Sequence, residues 1–440
     1  MKIKTFISLW YKYLSLLVFA IFIMACGGVV GAVAALFLQI MHFIIEFLWT
    51  TIPNSIPLSL SVGGINLQPY SIVLCAVGGL LIGLWQKKYG NYPNTLDEVV
   101  KTYKTTKNIR YDNLHVICIA AILPLIFGGS IGPEAGLAGI IAGLFCWVRD
   151  KYKTGIIKML ESHSEKKRTT LRTFINKPLY HIIGTVVTAN SQTYTISIIQ
   201  RWTVYIVASI GGVVSFRLIG KLFSSDGLAL ARFSQITFGL NELLAFFPLI
   251  ALGIVCGALF LLCQKLTGII FAPLEEKKVL RAVICGVVFG TVGMFLPYTM
   301  YSGEKQMLDL VKNWQSWTMP MLFVTGFVKI LMINLCNSGG WRGGNFFPSL
   351  FCATAIGFGL AEIFPVNASF IILTFMAAYT AMALGQPLIV AALCMLFAPL
   401  SAIIPIVIAA FIGGKLHFCV KEHKERIQED GSVVFAKKSK

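Results

Sequence analysis

Long apolar segments follow one another along this chain of 440 residues, and only short polar stretches separate them. A helix that crosses a bilayer needs about 20 mainly apolar residues, and 56% of this chain is hydrophobic while only 13% is charged. Soluble domains carry roughly 25% charged residues. The sequence therefore predicts an all-α polytopic membrane protein, with candidate membrane segments at Tyr11–Leu48, Ile72–Trp85, His115–Phe127, Ala135–Val148, Trp202–Phe223, Leu243–Leu262, Val279–Leu296, Met319–Cys336, Phe346–Phe364, Ala368–Met382 and Pro387–Ile412.

Several of these segments are too short for a clean crossing, and many contain Gly or Pro. Inside a membrane, a broken or partial helix is tolerated only where protein or a water-filled cavity satisfies its free backbone groups. The unevenness therefore predicts a bundle with partial, tilted helices. The first segment is too long for a removable signal peptide, whose apolar region has only about 7–15 residues, and we expect a long spanning helix there.

The net charge of +18 would suggest nucleic acid binding in a soluble protein. In a membrane protein, Lys and Arg collect instead in cytoplasmic loops, and here they flank apolar segments, as at Lys87, Lys88 and Lys415–Lys440. Residues 50–70 carry no charge and are predicted to lie outside. The pattern predicts a multi-pass protein of a cell or inner membrane, with both termini cytoplasmic and no nucleic acid partner.

One membrane domain is predicted over residues 1–420, in two halves at approximately 1–223 and 224–420. The charged stretch Arg149–Lys177 is predicted to connect two membrane parts. Residues 421–440 are predicted to form a polar, basic cytoplasmic tail. That tail is too short for a regulatory domain, because domains typically begin at about 50 residues.

Two Gly-rich breaks interrupt the apolar pattern, one in each predicted half. The first is Gly128–Gly136, with the sequence GGSIGPEAG, and the second is Gly339–Pro348, with the sequence GGWRGGNFFP. Each break precedes an apolar helix. In transporters built from repeats, Gly/Pro interruptions at corresponding positions of the two halves point to a binding site near the bilayer midplane. We therefore expect the two breaks to approach each other.

Helix starts of this kind are suited to anions. The first N–H groups of a helix have no intrahelical partner, and the helix dipole places roughly half a positive charge there. Glycines let the backbone approach a bound ion closely. Two helix starts that converge would hold a halide by partial charges, firmly enough to admit it and weakly enough to release it. The breaks therefore predict transport of small anions.

Glu134 is the acidic residue within the first break, directly after Pro133. An ionisable residue at membrane depth is costly and is by default a functional hypothesis. Its carboxylate would fit the same N–H groups as an anion and would open the path when protonated or displaced, which makes it a predicted gate. Arg342, in the second break, has two open interpretations: it attracts anions at a pore mouth, or it bonds the exposed carbonyls of its loop.

The two breaks resemble the signature segments of the CLC family of chloride channels and transporters. The first is similar to that family's GGSxGxEGP segment and places Glu134 at the gating glutamate, although Ala135 and Gly136 stand where Gly and Pro are usual. Residues 344–348 match its GxFxP motif, in which backbone amides at the Phe346 position help to form the central anion site. The resemblance implies chloride or a similar anion as substrate. The predicted anion-binding residues of the two breaks are Gly132, Pro133, Gly344, Asn345 and Phe346.

The same resemblance implies a homodimer whose subunits each hold a pathway built from two inverted repeats. It also indicates two departures from the family. Where a serine usually coordinates the anion before a short helix, this chain has Gly90, with Asn91 next to it as a further anion-binding position. Where the last helix usually presents a tyrosine hydroxyl, this chain has Phe418, which predicts a less polar inner constriction. The chain is thus expected to be a divergent member without C-terminal CBS domains.

The internal proton-carrying glutamate of the family's exchangers has no counterpart here. No Asp or Glu occurs from Leu171 to Lys221, and the nearest candidates are Gln200 and Arg201, which cannot carry a proton as a carboxylate does. This absence favours a chloride channel gated by Glu134. A chloride/proton antiporter stays the alternative, because Glu134 itself is retained. The family's fluoride branch is a third variant, but its loop signatures are not evident.

A membrane-embedded enzyme is the alternative from another class. It would need a nucleophile, a metal cluster or paired acids at membrane depth. The six histidines are scattered, and none of the 11 cysteines forms a pair with metal-ligand spacing. The sequence therefore predicts no enzyme activity, no cofactor and no metal site.

Overall fold

A computed structural model of the protein describes residues 2–55, 60–62, 65–67, 69–106, 108–161, 198–223, 231–236 and 238–438. The predicted connector lies outside the described residues beyond Glu161, and so does the first part of the acid-free stretch, up to residue 197. Gln200 and Arg201 fall within a described helix, but their side chains are outside the description.

Helices make up nearly all of the described chain, as the sequence predicts. Their bounds are α1 Lys2–Glu46, α2 Ile52–Ser55, α3 Tyr70–Tyr89, α4 Leu96–Thr106, α5 Leu114–Ile126, α6 Glu134–Glu161, α7 Ile198–Leu222, α8 Leu240–Phe271, α9 Lys278–Phe295, α10 Glu304–Asn313, α11 Met319–Ser338, α12 Phe346–Ala361, α13 Ala368–Leu384, α14 Pro387–Phe397 and α15 Ile403–Lys438. A π-helical turn, Phe47–Thr51, joins α1 to α2.

A small antiparallel hairpin is the one feature that the all-α prediction omits among the described residues. Strand β1 (Leu60–Val62) pairs with β2 (Ile65–Leu67), with Leu60 opposite Leu67 and Val62 opposite Ile65. It lies in the uncharged stretch between α2 and α3 and leaves the helical architecture unchanged.

The last apolar segment differs from its prediction. The sequence predicts one helix over Pro387–Ile412, but α14 ends at Phe397 and α15 begins at Ile403. The cause is Pro399, because a proline disfavours helical backbone at the preceding residue. Ala398 is accordingly extended, with a ψ of 149°, and a short 3-10 turn at Leu400–Ala402 follows. A single crossing helix was therefore the wrong prediction here.

The described residues include six helices that are long and apolar enough to cross a membrane, and five shorter apolar helices accompany them. The shorter ones are α5, the first part of α6, α12, α13 and α14. This mixture is what the predicted partial helices require. Large apolar side chains remain exposed on the long helices, including Phe43 at 72% and Leu244 at 67%, which suits surfaces that face lipid rather than water.

The described chain forms two compact units that interleave in sequence. The first comprises Met1–Phe43, Leu96–Ile117 and Leu137–Leu228. Within it, α1 and α7 cross at their glycines: a Cβ added at Gly27 would overlap the carbonyl of Ala208, and one added at Gly31 would overlap that of Gly212. Backbones approach this closely because the contact residues are small, which is how helices pack where lipid removes the hydrophobic driving force.

The second unit comprises Ile44–Thr95, Cys118–Gly136 and Ala229–Lys440. Its centre is formed by α12 and α13, which are buried along almost their whole length, and α13 packs against α8, α12 and α15. Helices α3 and α9 pack at the side of this unit through Gly79, which lies against the backbone of Ala282 and Val283. Both Gly-rich breaks belong to the second unit.

Candidate functional site

The two Gly-rich breaks meet as predicted, although more than two hundred residues separate them in the chain. Gly132 N–H donates to Gly344 O at 2.7 Å, and Gly344 N–H donates to Gly132 O at 2.8 Å, which makes an isolated antiparallel bridge. Each break leads directly into a helix, α6 after the first and α12 after the second. The paired backbones thus hold two helix starts side by side.

Glu134 binds the start of α12. Its Oε1 accepts hydrogen bonds from Phe346 N–H at 2.7 Å and from Phe347 N–H at 3.1 Å. These two amides are among those that a helix leaves free at its first turn, and Pro348 has no N–H to offer. Hydrogen bonds to an ionised acceptor are stronger than neutral ones. The carboxylate therefore satisfies two of the free N–H groups at the start of α12.

The side chain of Asn345 leaves these amides available. Asn345 precedes α12, where a side-chain oxygen commonly caps the following N–H groups. Here its Oδ1 instead accepts from Asn337 Nδ2 at 2.9 Å, and it makes no capping hydrogen bond. The α12 start is thus open to a partner from elsewhere in the chain, and Glu134 supplies it.

Glu134 Oε2 has a different environment from Oε1. It is buried and has no hydrogen-bond partner. It lies against the α-carbon of Gly132, because a Cβ added there would overlap Oε2, and a Cβ added at Gly344 would overlap the carboxylate carbon. The two bridged glycines therefore leave the space that the carboxylate fills. Pro133 stands in the turn between this bridge and the start of α6.

We expect Gly344→Ala to displace the Glu134 carboxylate from the α12 start. The backbone at Gly344 is not left-handed, so alanine is allowed there, and its Cβ would overlap only a movable side chain. The variant should fold normally and should lose much of the pH dependence of any anion flux, measured in liposomes. Gly268→Ala is the matched control, since nothing lies within 4 Å of its added Cβ. An unchanged pH profile in Gly344→Ala would contradict the expectation.

Arg342 binds a backbone carbonyl, but this carbonyl belongs to another segment and not to the loop of Arg342 itself, which one of its two interpretations named. Its Nη1 donates to the carbonyl of Asn91 at 2.8 Å. Gly90 ends α3 with a left-handed φ of 92°, and Tyr92 N–H donates back to Gly90 O at 3.0 Å. Arg342 therefore links the second break to the predicted third anion-binding segment at Gly90 and Asn91.

Phe418 lies on α15 and takes no part in the hydrogen bonds between Gly132 and Gly344. Its side chain is 53% exposed, and its ring packs edge-on against His417, with centroids 5.8 Å apart. His417 Nδ1 is 2.7 Å from the carbonyl of Met382 near the end of α13. Phe418 therefore has no polar group to offer at its position, as the sequence predicts from its side chain.

Two charged residues near the site were not singled out from the sequence. Lys329, within α11, is completely buried, and its Nζ donates to the carbonyls of Tyr298, Met300 and Tyr301 at 3.2, 2.9 and 3.0 Å. The sequence shows this lysine alone in an apolar segment, and an ionisable residue at such a position indicates a specific role. Glu304 starts α10 and is partly exposed.

Comparison with known proteins places this site in a family context. The family model described as "Voltage gated chloride channel" matches residues 182–416, which include the second break. Curated relatives include the protein YfeO of Escherichia coli O7:K1, 22% identical over 250 residues, and that of Shigella boydii serotype 4, 23% identical over 252 residues. Both are provisionally named as ion-transport proteins. The matches cover 57% of this chain and span only 58% of the length of these relatives.

Solved structures share the fold at low sequence identity. A CLC-type fluoride/proton antiporter is 16% identical, with a TM-score of 0.63 over 92% of this chain and 96% of that one. A slow cyanobacterial chloride/proton antiporter is 14% identical, with a TM-score of 0.67 over 91% and 94%. A eukaryotic CLC transporter is 16% identical, with a TM-score of 0.60 over 92% and 72%. The fold is thus the CLC-type helical bundle that the sequence predicts.

Proposed function

Because this chain belongs to the voltage gated chloride channel family, we propose that it moves chloride or a similar small anion across the bilayer in which it is embedded. One observation carries the proposal: a carboxylate oxygen accepts both Phe346 N–H and Phe347 N–H at the start of α12. Groups that bind a carboxylate in this way also suit a halide, because both ligands interact with the same free N–H groups and the same helix dipole.

In this proposal, Glu134 is the gate. While its carboxylate holds the α12 start, an anion cannot bind there. Protonation weakens the hold, because a neutral carboxyl makes weaker hydrogen bonds than an ionised one, and the side chain then leaves. The released amides of Phe346 and Phe347 then take up the anion, at a position framed by Gly132, Pro133, Gly344 and Asn345. Partial charges bind it loosely enough for it to move on.

A chloride channel is the form of transport we favour. The acid-free stretch in the sequence removes the usual internal proton carrier, and a channel needs none. A chloride/proton antiporter is the second candidate, since a carboxylate that competes with an anion for one site is also able to couple a proton to its movement. Two of the structural relatives are proton antiporters, one of fluoride and one of chloride.

Liposomes that contain the purified protein test the proposal. Chloride efflux and external pH are recorded together, with and without a potassium ionophore. Efflux that requires the ionophore, with a flat pH trace, identifies a channel. Protons that move against their gradient as chloride moves identify an antiporter. Absence of chloride movement under both conditions would overturn the proposal.

At the inner end of the pathway, we propose that Phe418 leaves the constriction without a hydroxyl, and that Gly90 and Asn91 contribute backbone groups only. Phe418→Tyr should then change the selectivity between chloride and other small anions by a few-fold, because a hydroxyl hydrogen bond contributes about 1 kcal/mol. The measurement is the ratio of anion fluxes in the same liposomes. Identical ratios would remove Phe418 from the pathway. We also propose a homodimer, which the mass of the purified protein would test.

A further inference from the structure

The carbonyl groups at the end of α5 are all bound by donors. A helix leaves its last four C=O groups without an intrahelical partner, and in α5 these belong to residues 123–126. The first three accept backbone N–H groups of residues 127–129. The fourth, the carbonyl of Ile126, accepts Nε1–H of Trp49 at 2.8 Å. The side chain of Trp49 therefore completes the helix end from which the first Gly-rich break starts.

The indole ring of Trp49 also contacts the first residue of this break. A Cβ added at Gly128 would lie 2.8 Å from Cζ2 and 3.3 Å from Cη2 of Trp49, so the ring lies directly against the α-carbon of Gly128. The carbonyl of Gly128 accepts Tyr301 N–H at 3.1 Å, and the ring of Tyr301 packs edge-on against Trp49, with centroids 5.3 Å apart. Trp49 thus holds the break both through its N–H group and through its ring.

Trp49 is oriented by an irregularity of the backbone. It lies in the π-helical turn Phe47–Thr51, and a turn of this kind is rare and frequently marks a functional site. Within the turn, the carbonyl of Leu48 accepts the hydroxyl of Tyr70 at 2.7 Å. The ring of Tyr70 packs edge-on against Trp49, with centroids 6.4 Å apart. The start of α3 therefore supports the turn that presents Trp49 to the break.

A short series of backbone hydrogen bonds connects this contact with Glu134. Ile131 N–H donates to Gly129 O at 2.8 Å, and the next residue, Gly132, pairs with the second break in both directions. Glu134 follows two residues later, and its Oε1 accepts two N–H groups at the start of α12. Because hydrogen bonds weaken when their distance and direction change, a shift of the break would weaken this contact.

We propose that Trp49 is a positioning residue for the gate, which fixes the first Gly-rich break so that the Glu134 carboxylate meets the two N–H groups of α12. Without the indole N–H, the carbonyl of Ile126 loses this donor and the break is held less firmly. The ionised carboxylate then binds α12 more weakly, so protonation releases it more readily. The proposal rests on the proposed gating by Glu134. It extends the gate to the turn between α1 and α2.

Trp49→Phe tests the proposal, because it keeps an aromatic ring and removes the N–H donor. The pH at which anion flux in liposomes is half maximal should rise by roughly half a unit to one unit, since weaker hydrogen bonds to an ionised carboxylate favour its protonated form. Tyr70→Phe loosens the turn without changing Trp49 and should move this midpoint in the same direction by a smaller amount. Trp147→Phe makes the same replacement at an exposed residue of α6 and should keep the wild-type midpoint.

A lower Tm of Trp49→Phe with an unchanged midpoint would overturn the inference, because Trp49 would then support the fold and not the gate. If Trp49→Phe does not fold, Tyr70→Phe decides: a midpoint equal to that of the wild type would overturn the inference, and a higher one would support it.

Hydrogen exchange tests the same coupling without any transport measurement. The amide protons of Phe346 and Phe347 are bound by Glu134, and this contact must open before they exchange. Mass spectrometry of peptides from the start of α12 should show exchange about fivefold faster in Trp49→Phe, the effect of losing one hydrogen bond, and unchanged exchange in Trp147→Phe. Equal exchange in both variants would overturn the inference. Faster exchange in Trp49→Phe, together with an absence of anion flux in the wild type, would instead overturn the proposed function.

Discussion

Replacing Glu134 by Gln should raise anion flux at neutral pH by about 5–30-fold and remove most of its dependence on pH. The carboxylate accepts two backbone N–H groups through one oxygen, and losing its charge weakens this pair by roughly 1–2 kcal/mol. That energy corresponds to a factor of about 5–30 in the balance between a bound and a released side chain. Flux in liposomes at several external pH values measures it.

The sign of the pH effect follows from the same contact. In the wild type, flux should rise as pH falls, because protonation removes the charge that holds Glu134 to Phe346 and Phe347. In Glu134→Gln this charge is absent at every pH, so flux should be high and flat. Glu362→Gln removes an exposed acid and should keep the wild-type profile. A Glu134→Gln protein that is folded and still closes as pH rises would refute gating by this residue.

Local sequence predicted the part of the site that depends on local chemistry. Glycines at positions 132 and 344 mark places where the backbone makes a close approach, and a glutamate after Pro133 marks a helix start. Both features can be predicted from the residue itself, without knowledge of its contacts with distant segments. The bridge between the two glycines could be expected only because corresponding breaks in repeat-built transporters meet. The specific choice of Phe346 and Phe347 as donors to Oε1 required the structure.

The parts that were missed depend on contacts between distant segments. Lys329 was visible as a charge in an apolar stretch, but its three carbonyl partners lie about thirty residues upstream. The break between α14 and α15 is a different case, because Pro399 was in view and its effect on the preceding residue is general. In Pro387–Ile412, the prediction followed the apolar composition of the segment and did not take the effect of Pro399 into account.

The turn bound by Lys329 also contains two residues with a left-handed φ. Tyr301 has a left-handed φ of 58° and Gly303 one of 92°. Such a conformation costs a residue other than glycine roughly 1–2 kcal/mol. The ammonium of Lys329 offsets this cost by satisfying the carbonyls of Tyr298, Met300 and Tyr301. Tyr301 N–H binds the carbonyl of Gly128, so one buried lysine supports the geometry of the first Gly-rich break through this turn.

We therefore expect Lys329→Met to destabilise the protein by about 2–4 kcal/mol. Three carbonyls, one in a buried hydrogen bond and two in part-buried ones, lose this donor. Each unsatisfied buried group costs about 1–3 kcal/mol, while removal of a buried ammonium returns part of the loss. A lower apparent Tm of the purified protein is the first measurement. Glu134 and the α12 start remain chemically intact, so the protein that stays folded should transport anions with an altered pH profile, because the turn that binds Gly128 of the first break has lost its anchor.

Lys312→Met is the matched control for this change. Lys312 is an exposed residue on α10, so its replacement removes the same charge and introduces the same side chain without disturbing a buried contact. Its Tm and pH profile should equal those of the wild type. Equal Tm values for Lys329→Met and Lys312→Met would show that the three carbonyls find other hydrogen-bond donors. The turn would then keep its conformation without the ammonium of Lys329. A lower Tm in Lys329→Met alone would tie the stability of the fold to the same turn that positions both Gly128 and Glu304.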